Sequence, residues 1–247
     1  MPWLSYFLKC LLGGFVAMQM YFVLQIGLWA TLDPSSTAFQ RAERWRLCGL
    51  SWSCPVQSSW VPYDKISGNL KRAVLVSEDD IFFQHMGVRV EDMKKAWTKN
   101  SQLNQQSSGK SKTALRGGST ITQQLAKNLF LSSEQNYFRK AQELIITGLL
   151  EVMLPKQRLY EIYLNSVEWG EGIFGVGAAS QHYYGINPAS LDREQAAALA
   201  SALPAPKCFD KSQYCRKANI HFPTRQDFIL ENMDRVALAP TQKPKAR

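Results

Sequence analysis

Histidine occurs only three times in 247 residues, and the five cysteines never form a C-x-x-C pair. A structural zinc site needs clustered thiolates or imidazoles, so that class is set aside. Few stretches alternate apolar and polar residues, which argues against a β-sandwich or barrel. No segment recurs at a fixed period, so a solenoid or propeller is set aside as well. The glycine-rich run at 170–177, GEGIFGVG, lacks the spacing of a dinucleotide loop and follows no strand pattern. Gly109, Lys110 and Ser111 end like a phosphate-binding loop, but its first glycine position is Asn104. Ser107 to Lys110 matches S-x-x-K and Lys112 to Ala114 nearly matches K-T-G, yet the two are almost adjacent and no S-D-N occurs. No organic cofactor is expected.

The last thing missing is charge over one long stretch. Cys10 to Leu32 contains no charged side chain. About twenty apolar residues suffice to cross a bilayer as a helix, and Trp3, Tyr6 and Trp29 lie near the ends, where aromatic belts form. The run exceeds a signal-peptide core, and no small-x-small cleavage site follows it. Residues 10–32 therefore read as a retained anchor, with 1–9 cytoplasmic. Lys9 and the amino terminus favour that orientation, while Arg41, Arg44 and Arg46 oppose it. Residues 33–59 read as a linker containing a cysteine loop, 60–237 as one globular domain and 238–247 as a tail. The fold class is mainly α.

Elsewhere basic residues dominate: 29 Lys and Arg against 20 Asp and Glu give a net charge of +9. Such a balance suits an anionic partner, whether nucleic acid, anionic lipid or a phosphorylated substrate. Outside the apolar run the cysteines fall as Cys48 with Cys54 and Cys208 with Cys215. Four cysteines allow three pairings. Short local loops close readily, which favours Cys48–Cys54 and Cys208–Cys215 in an oxidising compartment.

Residues 117–130, GGSTITQQLAKNLF, are the centre of the chain. Gly117 and Gly118 give a turn where backbone can approach a ligand. Ser119 or Thr120 can cap the helix that follows. Ile121, Leu125 and Leu129 form one apolar face, beside which Gln123, Gln124, Lys127 and Asn128 project. A helix N-terminus with two amides and a cation is a cradle for an anion such as phosphate.

Upstream, Ser67 to Ser77 reads as a helix with Lys71 and Arg72 exposed. It ends in Glu78, Asp79 and Asp80, followed by Phe82, Phe83, His85 and Gly87. A carboxyl set against those aromatics is desolvated, which raises its pKa and suits a general base. His85 reads as a structural hydrogen bonder. Residues 90–99 read as a short amphipathic helix and 98–116 as a mobile loop. Met86, Val88, Val90, Met93 and Trp97 beside Lys94, Lys95 and Lys99 read either as core or as a surface dipping into the membrane. Downstream, Arg139, Lys140 and Glu143 share one helix face. Pro155 opens another helix, Asp192 and Gln195 form a capping box for an alanine-rich one, and Pro223 opens the last.

Together these pieces resemble glycosyltransferase family 51, the peptidoglycan polymerases, over about Trp60 to Leu203. The first motif, E-D-x-x-F-x-x-H-x-G, falls on Glu78, Asp79, Phe82, His85 and Gly87. The second, G-G-S-T-[IL]-T-Q-Q-L-x-K-N, is complete from Gly117 to Asn128; the third, R-K-x-x-E, is Arg139, Lys140 and Glu143. The fourth, E-x-Y-L-N, is Glu161, Tyr163, Leu164 and Asn165. Residues 174–181, FGVGAASQ, resemble the monofunctional branch. The loop before Gly117 and the two cysteine loops depart from the pattern.

The resemblance implies a single lysozyme-like domain on a membrane helix, facing the periplasm from a bacterial inner membrane. It implies transfer of a growing glycan from undecaprenyl pyrophosphate to the 4-hydroxyl of a lipid-linked disaccharide-peptide, with inversion to a β-1,4 link. Glu78 and Glu143 are then catalytic. Asp79, Phe82, His85, Gly118, Ser119, Thr120, Gln123, Gln124, Lys127, Asn128, Arg139 and Lys140 bind substrate. Glu143 could also hold Mg2+ or another divalent cation. Partners are the lipid-linked substrate, the nascent strand, the membrane and other cell-wall synthesis or division proteins, not nucleic acid. Two rivals are a lysozyme-like enzyme that cleaves glycan and a non-catalytic membrane scaffold.

Overall fold

The computed structural model describes residues 2–49, 54–89, 119–132, 134, 136–209, 211, 214–215 and 220–238. The helix expected at 90–99, the loop at 98–116, the proposed membrane-dipping stretch beyond Met86 and Val88, Gly117, Gly118 and the tail lie outside these, apart from Leu238.

Helix α1, Pro2–Leu28, is the anchor. It begins earlier and ends earlier than the charge-free run, because Lys9 is accommodated inside the helix and residues 29–32 turn toward the domain. Arg158 donates to the carbonyls of Trp29 and Leu32 and pairs with Asp33 at 2.8 Å, which fixes the chain as it leaves the helix. The described residues of the stretch read as linker carry α2, Ala38–Cys48, opened by a capping box between Thr37 and Gln40, and strand β1, Gln57–Ser58. Helix α3, Gly68–Glu78, is capped by Ser67 and buries Leu70, Ala73, Val74 and Leu75.

Lys71 on α3 is buried rather than exposed, contrary to its helical phase. Residues 63–65 fold over it: its Nζ donates to the Tyr63 carbonyl at 3.1 Å and sits 4.2 Å from that ring's centroid. Burial holds its pKa below the ordinary lysine value.

Helices α4, Ile121–Phe130, α5, Tyr137–Met153, and α6, Lys156–Ser166, follow. Then come β2, Glu168–Gly170, β3, Ile173–Phe174, and α7, Gly175–Tyr184. The sheet order is β1-β3-β2, with β1 parallel and β2 antiparallel to β3. Gly175 has φ +77°, and a Cβ there would meet the Asn165 carbonyl oxygen at 2.6 Å, so only glycine fits this entry to α7. Helix α8, Arg193–Ala202, opens on the expected Asp192–Gln195 capping box. It packs between α3 and the last long helix, α10, Phe222–Asn232, which follows α9, Pro206–Phe209. One core, including Phe82, Ile121, Leu125, Ile146, Tyr160, Tyr163 and Leu199, joins these elements. The architecture is mainly helical with a small open sheet, in keeping with the lysozyme-like fold that the resemblance implies.

The structure joins Cys48 to Cys54 and Cys208 to Cys215, with Cα separations of 5.4 and 5.6 Å. Ion pairs tie the two cysteine-bearing helices to the sheet. Lys207 on α9 reaches Glu43 on α2 at 2.7 Å and Glu168 on β2 at 3.6 Å. Arg46 and Lys211 meet at Glu171. Burial pushes the Glu168 carboxyl up to about 7, against the opposing pull of Lys207 and the Gly172 N–H.

Candidate active site

Glu78 is the last residue of α3, and its side chain is only 10 % exposed. The apolar surroundings expected for its carboxyl are not what it meets. Gln124 Nε2 donates at 2.9 Å, Ser77 Oγ at 2.9 Å and Arg225 Nη2 at 3.1 Å. The nearby aromatics turn inward instead. Phe82 is fully buried, edge-to-face with Phe83 at 5.1 Å and tilted against Tyr160 at 5.5 Å, with Lys156 Nζ 4.3 Å from its ring. Phe82 therefore serves by packing, not by touching a ligand. Gln124 is held at both ends, since its carbonyl accepts from the Tyr163 hydroxyl at 3.1 Å.

Asp79 next to it points the other way and is 1 % exposed. Its carboxylate accepts the Ile121 N–H at 3.1 Å and lies 2.9 and 3.0 Å from His85 Nε2. Arg89 bridges Asp79 and Asp80 at 3.5 and 2.9 Å. This corrects the expectation of a phosphate at the N-terminus of α4. A helix N-terminus attracts an anion, and here the protein's own buried carboxylate fills that place. Thr120, not Ser119, is the cap: its hydroxyl accepts the Gln123 N–H while Gln123 Oε1 accepts the Thr120 N–H. The Gln123 carbonyl is thus taken up by the capping box at 1 % exposure, while its Nε2 is buried without a hydrogen-bond partner, and Asn128 is buried as well. The Thr120 hydroxyl also donates to the Gly87 carbonyl at 2.6 Å. Gly87 has φ +74°, and a Cβ would sit 2.7 Å from Glu151 Cγ. Glu151 in turn accepts from Thr122 and pairs with Lys156 at 2.8 Å. So Asp79, His85, Gly87, Thr120 and Gln123 form the clamp that joins α3 to α4.

The third cluster sits on α5. Asn136 caps the helix by accepting the Arg139 N–H, and the first turn carries Arg139 and Lys140. Arg139 Nη1 reaches the Glu143 carboxylate at 3.1 Å, and Lys140 Nζ bonds its other oxygen. The Glu143 side chain is 4 % exposed, whereas that of Lys140 is 41 % exposed. Lys127, one turn beyond Gln124 on α4, lies in the field of Glu143, Arg139, Lys140 and Glu78. Burial holds its pKa below the usual lysine value, the neighbouring Arg139 and Lys140 add to this, and Glu143 and Glu78 oppose it. A wall built from three helices therefore runs from Glu78 on α3, through Gln124 and Lys127 on α4, to Glu143 on α5.

A carboxylate at one end of a wall and three cations at the other suits proton removal from one reactant beside departure of a polyanion. Comparison with known proteins gives the family. The transglycosylase family model matches residues 50–234. The chain belongs to the transglycosylase family. A biosynthetic peptidoglycan transglycosylase of Cupriavidus metallidurans is 57 % identical over 96 % of this chain and 99 % of its own length. Another from Cupriavidus pinatubonensis is 55 % identical over 96 % of this chain and 91 % of its own. A third, from Ralstonia nicotianae, is 51 % identical over 96 % and 99 %.

Within this transglycosylase the fourth motif is scaffold. Glu161 accepts the Tyr63 N–H and binds Arg158, while Asn165 exchanges hydrogen bonds with both backbone groups of Val61. Only Tyr163 of that motif reaches the site, through Gln124. Sequence reasoning missed Arg225. It lies 147 residues beyond Glu78 on α10, and no local pattern marks it. Among the described residues no group of three His, Cys, Asp or Glu could by itself hold a metal ion.

Proposed function

We infer that this transglycosylase is a membrane-anchored peptidoglycan glycosyltransferase that polymerises glycan strands for the cell wall. The observation that carries the reading is the single wall from Glu78 to the Arg139–Lys140–Glu143 cluster, with Lys127 between them. The donor is a growing glycan on undecaprenyl pyrophosphate, and the acceptor is the 4-hydroxyl of a lipid-linked disaccharide-peptide. Glu78 takes the acceptor proton as that oxygen attacks the anomeric carbon from the face opposite the leaving group. Gln124 and Arg225 hold the carboxylate in place for this. The C–O bond to pyrophosphate breaks with inversion, and Lys127, Arg139 and Lys140 offset the charge that develops there. Helix α1 keeps the domain at the surface where both lipid-linked reactants reside, and the paired cysteines suit the periplasmic side. Other cell-wall synthesis or division proteins are the expected partners.

A divalent cation fits only as a shared ion. Glu143 offers one carboxylate, already bound by Arg139 and Lys140, so a pyrophosphate must supply the other protein-independent oxygens. Such an ion would neutralise pyrophosphate charge. Chelation should then raise the KM for the lipid-linked substrate about three- to ten-fold, and Glu143→Gln should abolish that response; an unchanged KM on chelation argues against any such ion. The function itself is tested by incubating purified full-length protein with lipid-linked disaccharide or with preformed glycan. Longer products from the first and no shortening of the second are expected; the reverse would make it a hydrolase.

A further inference from the structure

The anchor does more than tether. Along α1 and the turn after it the described side chains are exposed except on one stripe, where Phe22, Ile26 and Trp29 are buried and Gln19 and Gln25 are partly covered. The spacing of Gln19, Phe22, Ile26 and Trp29 is that of one helix face. This face lies on α5 and the end of α4: Phe22 and Trp29 each stand 5.0 Å from the Phe130 ring, and a Cβ on Gly27 would touch Met153 at 3.6 Å. Farther down, the amides of Gln19 and Gln142 donate to each other's carbonyl oxygens at 3.2 and 3.1 Å. Gln142 immediately precedes Glu143 and shares a helical turn with Arg139 and Lys140.

The pairs Gln19–Gln142 and Gly27–Met153 make α1 and α5 run in the same direction. The level of Gln19 is therefore the level of the cation cluster. A polar side chain on a membrane-spanning helix is costly to leave unpaired. Tyr137 and Phe138 at the start of α5 are 92 % and 90 % exposed, as suits side chains that meet lipid.

We propose that Gln19 and Gln142 are positioning residues for glycan transfer. Their reciprocal amide pair fixes the rotation and depth of α5 against the anchor. Arg139, Lys140 and Glu143, on the neighbouring turns of α5, are thereby held in one orientation toward the pyrophosphate. The proposal rests on the assignment of that cluster to the pyrophosphate.

The test uses full-length protein in liposomes containing lipid-linked disaccharide. Gln19→Leu and Gln142→Leu should each raise KM about three- to ten-fold with kcat within about two-fold, and the double variant should be no worse than either. In a Cys10→Ser background, Gln19→Cys with Gln142→Cys should be joined by a short bis-methanethiosulfonate linker, which spans the length lost with the two amides, and regain the wild-type KM, losing it again on reduction. That rescue separates positioning from general loss of structure. Wild-type KM in both leucine variants, with KM raised in Lys140→Ala, overturns the positioning role alone. Wild-type KM in Lys140→Ala as well overturns the cluster assignment beneath it. Failure of the cysteine pair to cross-link overturns the juxtaposition itself.

Discussion

Arg225 supplies the sharpest mutational expectation, because all its bonds at the site come from one nitrogen. Nη2 donates to the Ser77 carbonyl and Ser77 Oγ, both at 2.8 Å, and to Glu78 Oε1 at 3.1 Å, while Nε is buried without a hydrogen-bond partner. Arg225→Ala removes one of three donors to the Glu78 carboxylate. A hydrogen bond to a charged group contributes about 1.5–3 kcal/mol. The Arg225 side chain is 30 % exposed, so solvent screening reduces the effect to about 1–2 kcal/mol. If that stabilisation is lost from the transition state, kcat falls about 5- to 30-fold. The loss at the Ser77 carbonyl should appear separately, as about 1 kcal/mol of stability. Lysine is the informative replacement. Its ammonium carries three hydrogens on a single nitrogen, as many as the acceptors met by Nη2. Arg225→Lys should therefore keep most of the activity that alanine loses. Steady-state polymerisation by purified variants, with circular dichroism to confirm folding, decides the matter. Wild-type rates in Arg225→Ala, or lysine as damaged as alanine, would refute the reasoning.

Two further expectations concern stability. Gly87→Ala must adopt φ +74° and place a Cβ 2.7 Å from Glu151 Cγ and 2.8 Å from Thr147 Cγ2. Left-handed strain of about 1–2 kcal/mol plus overpacking of about 1–3 kcal/mol should lower the denaturant midpoint clearly; an unchanged midpoint would mean that the clamp around Glu151 is loose. Glu168 has its carboxyl pushed up to about 7 by burial, so the folded chain holds that proton more tightly than the unfolded chain. Stability from this group is complete below the unfolded value near 4.5 and is lost as pH rises through about 7, by up to about 3 kcal/mol. Glu168→Gln should flatten the thermal-melting profile between those limits, and an unaltered profile would count against the assignment.

What the sequence disclosed was mostly local. The stripe Ile121, Leu125 and Leu129 is buried, and the capping box at Asp192 is present, because both follow from spacing within one helix. Helix α2 went unread although Thr37 and Gln40 carry the same cap signature, since its face is polar and only Gln40 and Glu43 are buried. Lys71 was misjudged because residues 63–65 cover it from outside the helix. The anion expected at the N-terminus of α4 was a correct inference about the field there. Sequence could not show that Asp79, 42 residues away from Ile121, supplies it. The surroundings of Glu78 were misread for the same reason. Phe82 is adjacent in sequence but joins the core, while Gln124 and Arg225 arrive from distant helices. Gly118 and the loop before it lie outside the described residues.

The central claim is that Glu78 is the base for glycan transfer, and Glu78→Gln tests it most directly. Glutamine keeps the size of the side chain and can still bond Gln124 and Ser77, but it cannot take the acceptor proton. Purified, folded Glu78→Gln should bind lipid-linked disaccharide as the wild type does, because Lys127, Arg139 and Lys140 are untouched. Its rate of polymer formation on a gel should fall by about two to four orders of magnitude. Polymer made at close to the wild-type rate would contradict the account.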